Sequence, residues 1–253
     1  MPHYKIRPLH VGTFPAFEKS MFLFGVEPGT KIPAPCISWL IEGEKGEKIL
    51  VDTGPHDSDA PTACYHNTIE RKDVHRIDQA LLAIGVDPDE IEIVIFTHLH
   101  WDHCYNPGLL KKAKFYVQRS ELAYAIDPIE WNAPYYESKL PGVKPPWFEV
   151  YDRLHTVDGD VELLPGILFV HLPGHTPGTA GVAVHTAKGI YLIAGDAIPM
   201  IENWEGNARQ KHIPSAMLTD LIAYYHSFKK IEKITDKVLP GHDFRAFDSK
   251  VWG

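Results

Sequence analysis

Thr97-His98-Leu99-His100-Trp101-Asp102-His103 directly follows the apolar run Ile93-Val94-Ile95-Phe96, and this junction decides the fold. The run reads as a buried strand, so the heptapeptide is the loop at its end. In an extended chain His98 and His100 point to the same side. A following turn then brings Asp102 and His103 to a neighbouring point, so the ligands converge without a helix. Three imidazoles packed this closely repel one another on protonation unless a metal or an anion compensates. Imidazole nitrogen with carboxylate oxygen suits zinc and its neighbours, whereas calcium or magnesium calls for mostly oxygen donors. Asp52, in the strand-end sequence Leu50-Val51-Asp52-Thr53-Gly54, is the expected acceptor for the second nitrogen of a ligating imidazole.

Three later segments repeat one design, a His or Asp beside a glycine after an apolar run. They are Leu172-Pro173-Gly174-His175-Thr176-Pro177-Gly178, Ile193-Ala194-Gly195-Asp196 and Val238-Leu239-Pro240-Gly241-His242-Asp243. Glycine permits the tight turn that lets the following side chain enter a shared site. Any one of these is a common surface turn. As an ordered set they point to one centre.

Around these motifs, β-branched and apolar stretches bounded by turn residues read as strands: Ile37 to Ile41, Lys48 to Val51, Glu92 to Phe96, Lys114 to Val117, Ile167 to His171 and Ile190 to Ala194. Val74, Ile77, Leu81 and Ile84 recur at helical spacing, with Gly85 at the expected C-terminal cap. A second helix is predicted from about Pro214, with Ser215 as start signal and Leu218, Leu221, Ile222, Tyr225 and Phe228 as its apolar stripe. It leads into a last strand around Val238. Strands in groups with helices between them predict layered sheets with helices on their outer faces. No repeat or composition shift divides the sequence, so residues 1–253 read as one domain. The Pro-rich stretch 127–147 reads as a long irregular excursion of the kind that often covers a site.

Composition narrows the function. A 44% hydrophobic content over 253 residues is enough for a full core. Cys36, Cys64 and Cys104 are odd in number and form no CxxC pair, which fits a reducing cytosol. Prolines and charges occupy the N-terminus where a signal peptide needs an apolar segment, and no stretch approaches membrane-spanning length, so a cytoplasmic location without membrane partners is expected. With a formal charge of −8 and scattered Lys and Arg, no basic track for nucleic acid is present.

The series HLHWDH, PGHTPG, AGDA and PGHD resembles the ordered motif set of the metallo-β-lactamase superfamily, from VDTG onward over nearly the whole chain. That resemblance implies an α+β fold, a four-layer αβ/βα sandwich. It also implies that His98, His100 and His175 hold one metal, that Asp102, His103 and His242 hold a second, and that Asp196 bridges them. Two divalent ions follow, zinc first, with iron, manganese or cobalt as alternatives. His100 stands where flavodiiron oxidoreductases of the superfamily usually carry Glu, and Asp196 where lactam-hydrolysing members typically have Cys, so neither activity is expected. The run from Lys19-Ser20-Met21-Phe22-Leu23-Phe24-Gly25 through Ile32-Pro33 and the segment Glu202-Asn203-Trp204 resemble the N-acyl-homoserine lactonases. The implied activity is zinc-dependent opening of a lactone, an N-acyl-homoserine lactone among the candidates, and hence quorum quenching. Thioester, other cyclic ester and phosphodiester hydrolysis are the alternatives within the fold. A homodimer is the assembly the family implies.

The expected mechanism is attack on a lactone or ester carbonyl by a hydroxide shared between the two ions, since coordination lowers the pKa of water from about 15.7 to about 7. Asp102 is expected to orient that hydroxide and carry its proton to the leaving oxygen. Pro199 replaces the tyrosine that assists the carbonyl in the lactonases; Tyr105 is the candidate substitute, followed by Tyr65, Tyr135 and Tyr136. Met21, Phe22, Phe24, Trp101, Trp131, Trp147 and Trp204 are the candidate walls of a partly apolar pocket.

Overall fold

The computed structural model describes residues 2–57, 66–71 and 76–253; Tyr65, Cys64 and Val74 lie outside them. Among the described residues, two mixed sheets face each other. The first has six strands in the order β1 (Tyr4–Glu18), β2 (Lys31–Gly43), β3 (Lys48–Val51), β4 (Ile93–Ile95), β5 (Lys114–Gln118) and β6 (Leu154–Val157). β1 to β3 are antiparallel neighbours, and β3 to β6 run parallel. The second comprises β7 (Val161–Leu164), β8 (Ile167–His171), β9 (Ala180–Thr186), β10 (Gly189–Ile193) and β11 (Val238–Leu239), antiparallel except for the β10–β11 pair. The helices are α1 (Lys19–Phe22), α2 (Ile77–Ala83), α3 (Trp101–Cys104), α4 (Arg119–Ile126), α5 (Ile201–Glu205) and α6 (Leu221–Ile234).

Strand alternation builds the layers. Ile37, Trp39, Ile41, Ile49 and Val51 point between the sheets and pack with Ile167, Phe169, Val182 and Val184. Leu40 and Leu50 face the other way, into a core shared with Ile77, Ala80 and Leu81 of α2 and Ala125 of α4. Beyond the second sheet, Val170, Ala183 and Leu192 meet Tyr224, Phe228 and Ile231 of α6. Full burial of a large apolar side chain contributes about 1.5–3 kcal/mol, so each interface carries several such increments. The outcome is the four-layer αβ/βα sandwich.

α6 starts later than its sequence suggests. Asp220 Oδ1 accepts from Ala223 N at 2.9 Å, so the helix begins at Leu221 rather than near Pro214. Its buried stripe is also rotated: Tyr224, Ser227, Phe228 and Ile231 are buried, whereas Leu221, Ile222 and Tyr225 are exposed. Apolar residues occupy both faces, so periodicity alone leaves the phase open. β1 went unread because Pro8 and Pro15 interrupt it; at the edge of a sheet proline is tolerated, since one side of the strand lacks a full ladder. β9 is rich in Ala and Gly because space is short there: a Cβ on Gly181 would lie 2.8 Å from the Ile193 carbonyl oxygen.

This arrangement gathers chain ends at one rim. Asp52 follows β3, His98 follows β4, His175 follows β8, Asp196 follows β10 and His242 follows β11, each just past a strand's carboxyl end. Thr97 O accepts from Ala180 N at 2.8 Å, which ties the end of β4 to the second sheet.

Candidate metal centre

The rim brings the seven expected side chains together. Three overlapping groups, His98–His100–His175, His98–His103–Asp196 and Asp102–His103–His242, each hold their potential ligand atoms within 4.8 Å of one another. All are buried except Asp102, which is half-buried and lines an open cleft. The turn after His100 is helical, contrary to the helix-free loop expected: α3 makes one turn with His100 as its N-cap, and this reverses the chain so that Asp102 and His103 face back. Thr53 N donates to His103 O at 2.7 Å and Tyr105 N to Gly54 O at 3.0 Å, fastening that turn to the loop after β3.

The second nitrogens of four imidazoles are already engaged. His103 Nδ1 donates to Asp52 Oδ2 at 2.8 Å, His175 Nδ1 to Met217 O at 2.6 Å, and His242 Nδ1 to Pro35 O at 2.9 Å. Thr97 Oγ1 donates to Asp52 Oδ2 at 2.7 Å and therefore accepts from His98 Nδ1 at 3.1 Å. Asp52 Oδ1 takes Thr97 N at 2.7 Å. Asp52 thus contacts two imidazoles, His103 directly and His98 through Thr97. With Nδ1 protonated, each Nε2 carries a lone pair.

Those lone pairs converge. His103 Nε2 and His242 Nε2 are 3.2 Å apart, and His175 Nε2 lies 3.1 Å from His100 Nδ1. Two facing lone pairs at this distance repel unless a proton or a cation lies between them. His98 Nε2 and His100 Nε2 are buried with no hydrogen-bond partner, as is Asp196 Oδ1. Asp196 sits across both groups: Oδ1 is 3.1 Å from His242 Nε2 and 3.3 Å from His103 Nε2, and Oδ2 is 3.5 Å from His175 Nε2. Gly241 leaves room for this carboxylate, because a Cβ there would fall 2.7 Å from Asp196 Oδ1. A nitrogen-rich donor set with orphaned buried atoms fits a pair of divalent cations.

Electrostatics divides the imidazoles into two classes. Burial, reinforced by neighbouring imidazoles, pushes His98 and His100 well below the ordinary histidine value, and burial also lowers His175. Burial opposes charge on His103 and His242 too, but there the nearby carboxylates, Asp102 and Asp196, outweigh it and raise both. Asp196 is driven up by burial yet held well below the carboxylate range by His242 and His103. Asp102 and Asp196 thus favour positive charge at the His103 and His242 end of the cluster.

The cleft wall differs from the sequence expectation. Phe22 and Trp101 line it, together with Phe14, Phe17, Asn67, Tyr135 and Met217. Met21 does not; its carbonyl accepts from Ser215 Oγ and Ala216 N. Phe24 opens into a separate groove against Leu221 and Ile222. Trp131 is 77% exposed beside Ile129, Trp147 is buried in the core that Leu40 and Leu50 face, and Trp204 stacks on His212 at 4.2 Å. Tyr105 turns its hydroxyl to Glu137, at 3.1 and 3.2 Å, because that fully buried carboxylate needs donors and receives them from Tyr105 and His66. Tyr135 is the phenol that reaches the cleft, its ring 5.4 Å from that of His100, and Tyr136 packs edge-on to His100 at 4.7 Å. Both come from the 127–147 excursion, which contributes these two rings beside the site. Phe14 and Phe17 lie on β1, whose prolines hide its strand pattern, and Thr97, immediately before His98, carries no motif that marks its role.

Comparison with known proteins agrees with this geometry. A model of the metallo-beta-lactamase superfamily matches residues 32–242. An N-acyl homoserine lactonase of Bacillus sp is 30% identical over 229 residues, spanning 85% of this chain and 84% of that protein. The N-acyl homoserine lactonase AttM of Rhizobium radiobacter is 29% identical over 207 residues, 78% of this chain and 75% of its own. Among solved structures, an N-acyl homoserine lactone hydrolase with the product N-hexanoyl-L-homoserine at its catalytic metal centre superposes with a TM-score of 0.75 and 26% identity, covering 97% of this chain and 95% of that one.

Proposed function

The chain belongs to the metallo-β-lactamase superfamily, and from that premise we propose that it is a dinuclear metal-dependent hydrolase that opens a lactone ring, with N-acyl-homoserine lactones as the first substrates to test. The observation that carries this reading is the convergence of Nε2 lone pairs on Asp196, each backed by a committed Nδ1. His98, His100 and His175 would hold one ion, Asp102, His103 and His242 the other, and Asp196, with one oxygen toward each group, would bridge them. Nitrogen-rich coordination favours zinc, with iron, manganese or cobalt acceptable to the same donors. Seven protein ligands for two ions leave coordination positions open, as catalytic rather than structural sites do. When bound, the ions supply a nucleophilic hydroxide near neutral pH and polarise the carbonyl.

The chain's own groups complete the chemistry. Asp102 and Asp196 both line the cleft, and Asp102 is the less buried of the two, which suits it to orient the nucleophile and carry a proton to the leaving oxygen. Tyr135 takes the place proposed from sequence for Tyr105: it is the phenol in the wall, positioned beside His100 to donate to the carbonyl oxygen. Phe14, Phe17, Phe22 and Trp101 give an apolar wall that excludes water from the reacting group and suits an acyl chain. Opening acyl-homoserine lactones would make the protein a quorum-quenching enzyme. Its two described cysteines, Cys36 and Cys104, are buried free thiols, which suits the proposed cytoplasmic setting, and among the described residues no helix is long and apolar enough to cross a membrane.

The test is a panel of homoserine lactones of different acyl length, a thioester and a phosphodiester, assayed with metal-reconstituted and chelated protein. Proton release from lactones by the reconstituted form alone is the expected result. Thioester cleavage with no lactone opening, or equal rates after chelation, overturns the reading.

A further inference from the structure

Glu121 lies in the first turn of α4 and is fully buried, yet it touches none of the ligands. Its two oxygens accept four hydrogen bonds. Oε1 takes Leu99 N at 3.0 Å and the Tyr136 hydroxyl at 3.0 Å; Oε2 takes the Thr176 hydroxyl at 2.5 Å and Gly178 N at 3.1 Å. Burial pushes its pKa up, while the bonds from Thr176, Leu99, Tyr136 and Gly178 pull it back. Each donor belongs to one candidate metal group. Leu99 separates His98 from His100, Thr176 adjoins His175, and the Tyr136 ring packs against His100. Gly178 approaches so closely that a Cβ there would fall 2.2 Å from Glu121 N.

We propose that Glu121 is the positioning residue of the three-histidine group, a single carboxylate that locks the loop carrying His98 and His100 to the loop carrying His175. The role rests on the metal-centre reading above. Its action on the other group is indirect, because no Glu121 partner adjoins Asp102, His103 or His242. A carboxylate is required by the donor count. In Glu121→Gln the amide nitrogen must face either Leu99 N–H with the Tyr136 hydroxyl, or Gly178 N–H with the Thr176 hydroxyl. Hydroxyls can turn and accept; backbone N–H groups cannot. One of the two ligand loops therefore loses its anchor in either orientation.

The test is Co2+ titration of the metal-free protein, followed by absorption and by elemental analysis, with His242→Ala assigning the bands of the three-histidine group. In Glu121→Gln the affinity of that group is expected to fall 10–100-fold, as for other residues that orient metal ligands, while the second equivalent binds as in the parent. Equal weakening of both equivalents, tracking a lower melting temperature of the metal-free protein, would mean a general packing role and overturn the proposal, as would unchanged binding. Should Glu121→Gln not fold, Tyr136→Phe decides: it keeps the ring on His100 and removes one donor, and is expected to weaken the same equivalent to a lesser degree. Parental affinities in that variant overturn the proposal. A parent protein that takes up no Co2+ overturns the metal centre itself and this role with it, a result distinct from two-equivalent binding that ignores both substitutions.

Discussion

Replacing Asp52 by Asn tests how strongly the hydrogen bonds behind the ligands govern the metals. Asp52 accepts Thr97 N on one oxygen, and the Thr97 hydroxyl and His103 Nδ1 on the other. An amide has two placements here. If its nitrogen faces Thr97 N, a buried N–H loses its acceptor, which costs about 1–3 kcal/mol. If its nitrogen takes the other position, His103 must accept at Nδ1 and carry its proton on Nε2, and Thr97 must turn and donate to His98, which then does the same. Two ligands would point N–H groups where lone pairs are needed. Without metal the variant relaxes into the second arrangement; with metal it is forced into the first. Metal binding therefore bears the difference, and about 1–3 kcal/mol corresponds to roughly five- to 150-fold in affinity. Both ions feel it, since in the proposed assignment His98 serves the ion held with His100 and His175, and His103 the ion held with Asp102 and His242. Competition with a chromophoric chelator measures the affinities, and melting curves with and without metal separate the two states. The metal-free variant is expected to melt near its parent and the loaded form below it. Parental affinity for both ions in Asp52→Asn would refute the tautomer argument.

Acidification is expected to release the ions in order. A histidine raised in the metal-free protein takes a proton at higher pH and competes with metal sooner, whereas a lowered one competes only at lower pH. His103 and His242 are raised, and His98, His100 and His175 lowered, so the ion held by Asp102, His103 and His242 should leave first as pH falls. Equilibrium dialysis over a pH series with elemental analysis checks this; loss from the three-histidine group first contradicts it. Asp102→Asn, compared at equal metal content, is expected to lower kcat by about 10²–10⁴-fold if the carboxylate moves the proton, and a parental rate in the fully loaded variant removes that role. Gly178→Ala forces a Cβ against the Glu121 backbone, at 2.2 Å from N and 2.5 Å from Cα. It should destabilise by about 1–3 kcal/mol or more, read as a lower denaturation midpoint, and an unchanged midpoint would show that α4 yields freely.

The layers were legible because they depend on patterns the chain repeats. Ile37 to Ile41 and Ile167 to His171 alternate between two apolar faces, and both are strands with one face toward the other sheet and one toward helices. Elements whose composition answers to a neighbour were not. β1 carries prolines that only its edge position excuses, and β9 is small-residued because the β10 backbone presses on Gly181. The phase of α6 was misread for a related reason: Leu221, Ile222 and Tyr225 form as good a stripe as Tyr224, Phe228 and Ile231, and the sheet beneath selects between them.

A similar division runs through the site, and it has a chemical origin. A ligand must be one of a few side-chain types, so four of them within six residues, and three more each just after a glycine, stand out against any background. The groups that orient those ligands need only present an oxygen to a second nitrogen. For His175 and His242 that oxygen is the main-chain carbonyl of Met217 and of Pro35, which any residue could supply and no sequence pattern marks. Asp52 was found because a carboxylate at a strand end is conspicuous; Glu121, equally buried and bound to more donors, sits in an ordinary helical turn, where a glutamate is expected to be solvated. Substitutions at such orienting positions should thus alter metal affinity while leaving the ligand motif intact, and sequences that keep all seven ligands need not bind their two ions alike.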